Sequence, residues 1–170
     1  MRYPMSLTLL FSIVALSGCS PTFNWRELNL APASLAALFP CKPEPMVRQV
    51  NLAGQALSMT MLGCQAGGAS FALAYADLQE RAPAAEVLSR WRALTLGNMA
   101  AAPEQESSFL LVGVGPGIRV SARGKRPDGS AVAAQALWFA AGTWVFQASV
   151  LADKADTALA DTFFAGLKPP

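Results

Sequence analysis

Histidine is absent from the whole chain of 170 residues. Without it there is no Ser-His-Asp triad, and the side chain that most often serves as general base or metal ligand near neutral pH is missing. Cysteine is also scarce, with three residues in the chain. We therefore expect no bound metal, no cofactor and no enzymatic activity.

Charged side chains are few, and neither sign dominates. Asp, Glu, Lys and Arg together make up 14% of the residues, and the formal net charge is +2. So small a positive excess does not support nucleic-acid binding. The 53% of hydrophobic residues instead indicates a packed core, and the length suits one domain.

A hydrophobic run long enough to span a membrane is not found at the N-terminus. The apolar run Leu7–Leu16 has ten residues, and Arg2 is the only charge before residue 26. A membrane-spanning helix needs about 20 apolar residues. A short apolar run behind one basic residue is typical of the core of a signal peptide.

The stretch Leu16-Ser17-Gly18-Cys19 directly follows this run and resembles the bacterial lipobox. The resemblance implies a diacylglyceryl group on Cys19, removal of residues 1–18 as a signal peptide, and a tether over 19–33. Lipid chains would then hold the protein on a membrane, and Ser20 favours the outer membrane, facing the periplasm. The alternative is an ordinary secretory signal cut nearby, with Cys19 a spare thiol.

Alternating residues predict the first strands of the domain. Met46–Leu52 and Leu57–Gln65 flank Ala53-Gly54-Gln55, which is a hairpin signal. Ser70–Asp77 alternates again. Three apolar residues within 19–33 are candidates for an early strand that docks on the domain, namely Phe23, Trp25 and Leu28.

Two helices are predicted. The first begins at Pro83 and ends near Gly97, and the second runs from about Asp153, as N-cap, to Leu167. Their apolar stripes are Val87, Leu88, Trp91 and Leu94 in the first, and Leu159, Phe163 and Leu167 in the second.

Between the helices, Phe109–Val114 is a candidate buried strand. A meander of three strands follows, over Ile118–Lys125, Ala131–Phe139 and Thr143–Leu151. A turn centred on Ala141-Gly142 would pair Trp138 with Trp144 and Gln135 with Gln147, with the tryptophans in the core and the glutamines outside. The order of elements predicts an α+β domain over 34–168, an antiparallel sheet flanked by helices.

The same order and several landmarks resemble the PsbP-like superfamily, which includes DcrB-type bacterial lipoproteins. The resemblance implies an α/β/α sandwich and a binding or accessory role, and it supplies no catalytic residues. The matching features are Leu38-Phe39-Pro40, Arg48-Gln49-Val50, Ser70–Tyr75, the helix after Pro83, Gly113–Gly117 before a basic strand, and Phe163-Phe164.

Cys41 and Cys64 are the two remaining cysteines, and the predicted hairpin brings them close. Centring it near Gly54 puts Cys41 within two or three residues of the position opposite Cys64, a separation that a disulfide can bridge. An exported chain meets oxidising conditions, so we expect a disulfide. The alternative is two buried free thiols.

Arg119, Arg123 and Lys125 would lie on one face of their predicted strand. Such a row could hold an anionic ligand, lipid headgroups or an acidic partner. The alternative is a solvated sheet face on which Arg and Lys maintain solubility.

The remaining candidate sites have structural explanations. Gly113–Gly117 does not open a helix and carries Pro116, so it predicts a turn and not a phosphate loop. Two acidic pairs could serve hydrolysis, but they fall at element ends or in polar loops; they are Asp77 with Glu80 and Glu104 with Glu106. The aromatic residues Trp91, Trp138, Trp144 and Phe146 are expected in the core.

Taken together, these patterns predict a lipid-anchored cell-envelope protein that acts as a non-enzymatic binding or accessory module. Its expected partners are the membrane, through the N-terminal lipid, and an envelope protein. The alternative function is carriage of a small anionic ligand on the Arg119 and Arg123 face.

Overall fold

A computed structural model describes residues 22–79 and 81–170. Within them lie nine strands, one 3₁₀ turn (Ala31–Ala33) and two α-helices. The strands are β1 (Arg26–Leu30), β2 (Leu35–Phe39), β3 (Glu44–Leu52), β4 (Gln55–Ala66), β5 (Ala69–Asp77), β6 (Ala102–Leu111), β7 (Gly115–Lys125), β8 (Ala131–Ala141) and β9 (Trp144–Ala152). The helices are α1 (Ala84–Asn98) and α2 (Thr157–Ala165).

Seven of these strands form one antiparallel sheet in the order β3-β4-β5-β9-β8-β7-β6. β1 and β2 pair with each other in a separate antiparallel hairpin. A bridge between Ala36 and Lys168 ties this hairpin to the end of the chain. The predicted α+β class with an antiparallel sheet is confirmed.

Both faces of the sheet are covered because side chains alternate between them. On one face, α2 and the β1–β2 hairpin enclose a core in which Phe163 and Phe164 are fully buried. On the other face, α1 inserts Val87 and Trp91 against a second core that includes Trp138. The arrangement is a sandwich with the sheet in the middle.

The first hairpin forms where the sequence predicts it. Ala53 and Gly54 connect β3 to β4, and both have positive φ, 53° and 78°. Two-residue loops of this kind match the twist of the strands they join. β3 lies at the edge of the sheet, which is where Pro45 can be tolerated.

An early strand does form within 19–33. It is β1, whose register sets Leu28 opposite Ala37. Phe23 packs against the β4–β5 turn, where a Cβ on Gly67 would lie 2.4 Å from the Phe23 ring. Residues 1–21, including Cys19, lie outside the described residues. Within the described part of the chain, no helix is both long and apolar enough to cross a membrane.

The prediction that β8 pairs with β9 is confirmed, but the predicted register is wrong. The turn is the two-residue loop Gly142-Thr143, so Ala141 faces Trp144 and Trp138 faces Gln147. Gly142 has φ of 58°, and a tight hairpin of this type requires glycine at the first loop position. The register differs from the predicted one by three residues, which is an odd number. Trp138 and Gln147 therefore share a face, and Trp144 lies on the other.

Two of the predicted apolar segments are less buried than expected. Leu94 is 51% exposed, because the second half of α1 contacts the sheet through Trp91, Thr95 and Leu96 instead. The first half of the candidate buried strand Phe109–Val114 belongs to β6, which begins earlier, at Ala102, and forms the outer edge of the sheet. The second half forms the turn to β7. An edge strand has a neighbour on one side only, and most of β6 is exposed.

The N-cap of the second helix lies three residues later than the predicted one. The Asp156 carboxylate accepts a hydrogen bond of 2.9 Å from the backbone N–H of Leu159 and is the N-cap of α2. Asp153 instead forms an ion pair of 2.8 Å with Arg126. Both residues are aspartates, so the local cap preference could not distinguish them.

Candidate functional site

Arg119, the first residue of the predicted basic face, lies against α2 and is 14% exposed. Its Nε and Nη2 donate to Gln135 Oε1 at 3.0 and 2.9 Å, and its Nη1 pairs with Asp161. The guanidinium carbon lies 5.3 Å from the ring centre of Phe164 and 5.9 Å from that of Phe109. Its charge is compensated and most of its donors are in use.

A small polar recess surrounds this arginine. Gln135 is 5% exposed and donates its amide N–H to Ser121 Oγ. The recess has a volume of about 140 Å³, well below the roughly 300 to 1,000 Å³ of ligand pockets. It is lined by Gln105, Ser107, Arg119, Ser121, Gln135 and Thr157.

Arg123 and Lys125 do not join Arg119 in one site. Arg123 is 77% exposed, and its Nε lies 3.1 Å from a carboxylate oxygen of Glu104. Lys125 is exposed at the end of β7. One buried, ion-paired arginine and two exposed cations therefore occupy the predicted basic face.

The cysteines Cys41 and Cys64 form a disulfide, with 6.0 Å between their Cα atoms. Glu44 pairs with Gly63 at the start of the β3–β4 ladder, so Cys41 lies two residues beyond the position opposite Cys64. The predicted bridge is present, and it fixes the chain ahead of the edge strand to β4.

The acidic residues serve local structure. Glu104 pairs with Arg123, and Glu106 lies 2.8 Å from Arg92. Hydrogen bonds from the Thr143 side chain and, secondly, from the backbone N–H of Gln79 hold the pKa of Asp77 below its ordinary value. Glu80, its predicted companion, lies outside the described residues.

The glycine-rich stretch 113–117 includes the predicted turn at residues 113–114 and continues as the first three residues of β7. Gly113 and Gly115 have positive φ, 74° and 136°, at the connection of β6 to β7. A Cβ on Gly113 would lie 2.8 Å from the ring of Pro169. The stretch packs against the end of the chain and leads into a strand.

One concave and mostly apolar site was not predicted from the sequence. It is a groove of about 470 Å³ between the first half of α1 and strands β6 to β8. α1 packs over β8, β9 and β3 and leaves part of β6 and β7 uncovered. We call this site the α1 groove; its lining is Ala84, Ala85, Leu88, Ser89, Arg92, Ser108, Pro116, Gly117, Ile118, Trp138, Phe139 and Ala140.

The floor of the α1 groove is apolar, and its indole N–H is already hydrogen-bonded. The Trp138 indole N–H donates to Gln147 Oε1 at 3.0 Å, and Thr95 Oγ1 donates to the same oxygen at 2.9 Å. The indole therefore presents no unsatisfied donor to the groove. Ile118, beside it, is 38% exposed.

Polar groups are confined to one end of the α1 groove. Ser89 and Arg92 come from the middle of α1, and Ser108 comes from β6. Arg92 Nη1 donates to Glu106 Oε1 at 2.8 Å across the gap between helix and sheet. At the other end, the apolar surface continues onto Leu110, which is exposed and lies opposite Pro116.

A signal for the α1 groove is present in the sequence. On the α1 face, β8 carries three small residues and one large one, which are Ala134, Ala136, Ala140 and Trp138. Small side chains beneath a helix leave room beside a large one. The prediction that Trp138 lies in the core is confirmed by its burial. The groove next to Trp138 was not part of that prediction.

The seven-stranded antiparallel sheet with two helices packed on it is a PsbP-like fold. The cyanobacterial PsbP protein (CyanoP) of Synechocystis sp. PCC 6803 superimposes with a TM-score of 0.56 and 12% identity, over 93% of this chain and 99% of that one. A Pseudomonas aeruginosa protein of unknown function, described as a putative regulator, gives a TM-score of 0.44 and 16% identity, over 81% and 89%. No protein-family model and no curated protein sequence matches the chain.

Proposed function

We propose that this protein is a non-enzymatic binding or accessory module, held at the bacterial cell envelope by a lipid on Cys19. The lipobox-like sequence Leu16–Cys19 supports the anchor. The α1 groove is the single observation that carries the binding role, since its volume falls within the range of ligand pockets and its lining is mostly apolar.

The position of the α1 groove relative to the anchor suits a partner in the periplasm. Phe23 is four positions after Cys19, a span of at most about 14 Å. Phe23 packs at the β4–β5 turn. Ala133 of β8 lies at this same end of the sheet, because it pairs with the last residue of β9. Trp138 lies five residues further along β8, about 17 Å away, on the opposite face. A lipid on Cys19 would then lie near the end of the sheet opposite to the groove.

Carriage of an anion on the Arg119 and Arg123 face has less support. Each arginine already has a carboxylate partner, Asp161 or Glu104. An anion would have to displace these carboxylates, and the recess at Arg119 has little free volume.

The anchor is tested by the intact mass of the protein extracted from membranes. We expect a chain that begins at Cys19 and carries added acyl mass, and a Cys19→Ala variant that leaves the membrane fraction. An unmodified Cys19 thiol in the membrane-extracted protein would refute the anchor.

The binding role is tested with a photo-crosslinking amino acid placed at residue 118 in living cells. We expect one adduct of defined mass at this position, and its loss when Ala85→Trp fills the groove. The matched control is residue 94, which lies on the same side of the sheet but does not line the groove. Equal labelling at both positions, or no adduct at residue 118, would contradict the proposal.

A further inference from the structure

We propose that the α1 groove binds the single hydrocarbon chain of an amphiphile and holds its polar head at Arg92. This inference rests on the binding role proposed above and names the class of ligand. The juxtaposition that carries it is an apolar channel beside Trp138 that ends at hydrogen-bond donors on α1 and β6.

The dimensions of the α1 groove suit an extended alkyl chain. Its helical wall runs from Ala84 to Arg92, which is about 12 Å at the rise of an α-helix. Leu88 and Ile118 lie along this length, and Trp138 forms the floor. Methylene groups need no hydrogen-bond partner, so they can occupy this part of the groove without loss of polar solvation.

The polar end complements a head group that accepts hydrogen bonds. A guanidinium carries five N–H donors, and Glu106 accepts from Arg92 at one nitrogen, Nη1. The hydroxyl groups of Ser89 and Ser108 line the same end. A carboxylate, ester or hydroxyl head group can therefore accept hydrogen bonds from Arg92 while the ion pair with Glu106 remains.

A peptide fits the α1 groove less well than an alkyl chain. Each peptide residue would bring a backbone N–H and C=O into the groove, and a buried polar group without a partner is costly. The polar side chains of the lining are Ser89, Arg92 and Ser108, all near one end. The apolar end offers no side-chain partner to a peptide backbone.

The lipid of the anchor itself is poorly placed to fill the α1 groove. Phe23 contacts Gly67 at the opposite end of the sheet and belongs to the core on the α2 face. The groove lies on the α1 face. The occupant would therefore be a free amphiphile.

The test measures quenching of tryptophan fluorescence by chain-brominated amphiphiles, with the full chain carrying Cys19→Ser to remove the lipid. Fatty acids and monoacylglycerols of increasing length are compared. We expect saturable quenching that Trp138→Phe reduces. Affinity should rise about fourfold for each added methylene until the groove is filled. Binding of both classes would show that an acceptor suffices, and binding of fatty acids alone would assign a carboxylate head.

Two matched pairs of variants test where the hydrocarbon chain and the polar head of the amphiphile bind. Ile118→Asp should weaken binding by more than tenfold, whereas Leu94→Asp on the exposed side of α1 should leave it unchanged. Arg92→Gln should weaken binding by about tenfold, whereas Arg90→Gln, which removes the ion pair with Glu86, should not.

The inference is overturned if neither the fatty acids nor the monoacylglycerols quench saturably. It is also overturned if the control variants at Leu94 and Arg90 lose as much affinity as the variants at Ile118 and Arg92. If amphiphiles fail but the crosslinked adduct at residue 118 persists, the groove has a different occupant and the binding role stands. If both experiments fail, the binding role falls as well.

Discussion

Replacing Arg119 with methionine tests whether this residue is part of the structure or part of an anion site. Arg119→Met keeps the apolar stem between Phe109 and Phe164 but removes the charge and both donors to Gln135. A hydrogen bond from a charged donor contributes about 1.5 to 3 kcal/mol, and an unsatisfied buried acceptor costs about 1 to 3 kcal/mol. We expect the free energy of unfolding to fall by about 3 kcal/mol.

The contribution of Asp161 should be much smaller. Its side chain is 54% exposed, and ion pairs with one partner in solvent contribute about 1 kcal/mol or less. Asp161→Ala and the exposed control Arg123→Met should each lower stability by less than about 1 kcal/mol. Gln135→Leu added to Arg119→Met should restore part of the loss, because the orphaned acceptor is then removed.

Urea unfolding followed by tryptophan fluorescence measures these differences, and thermal unfolding should show a decrease in Tm of about 6 to 12 °C for Arg119→Met. Suppose that Arg119→Met is no less stable than Arg123→Met and instead abolishes binding of a small anion. The structural account of Arg119 would then be refuted, and the anion-carrier function would be favoured.

Three further predictions concern the rest of the fold. Replacing Cys41 and Cys64 with serine should lower stability by about 3 kcal/mol, from the loop-closure entropy over a separation of 23 residues; an unchanged Tm would contradict this. Gly124→Ala should destabilise, because its Cβ would lie 2.6 Å from a backbone carbonyl oxygen, whereas Gly97→Ala, with open space in α1, should stabilise by up to about 1 kcal/mol; equal melting temperatures would count against this packing. Hydrogen bonds hold the folded-state pKa of Asp77 below its ordinary value, so the ionised carboxylate stabilises the fold at neutral pH, and this stabilisation is lost as the pH falls through the folded-state pKa. Asp77→Ala should therefore have a lower free energy of unfolding than the parent protein near pH 7 and the same free energy of unfolding in strong acid, as urea unfolding over a pH series can show.

The sequence by itself determined the features that depend on neighbouring residues. The alternation in Ser70–Asp77 gives β5 because the side-chain period of a strand is two. Pro83 marks the start of α1 because its fixed φ suits a helix entrance. Ala53-Gly54 sets the first hairpin, and that hairpin brings Cys41 near Cys64.

Tertiary structure alone decided the features that depend on which elements meet. A three-residue change in the β8–β9 register sets Trp138 opposite Gln147, and such a change alters no local propensity. Arg119 is buried because α2 brings Asp161 and Phe164 to the sheet, from more than 40 residues away along the chain. The α1 groove exists because α1 covers the middle of the sheet and not its β6–β7 edge. Side-chain period and turn residues are local properties of the chain, whereas register and helix placement are set by packing between distant segments.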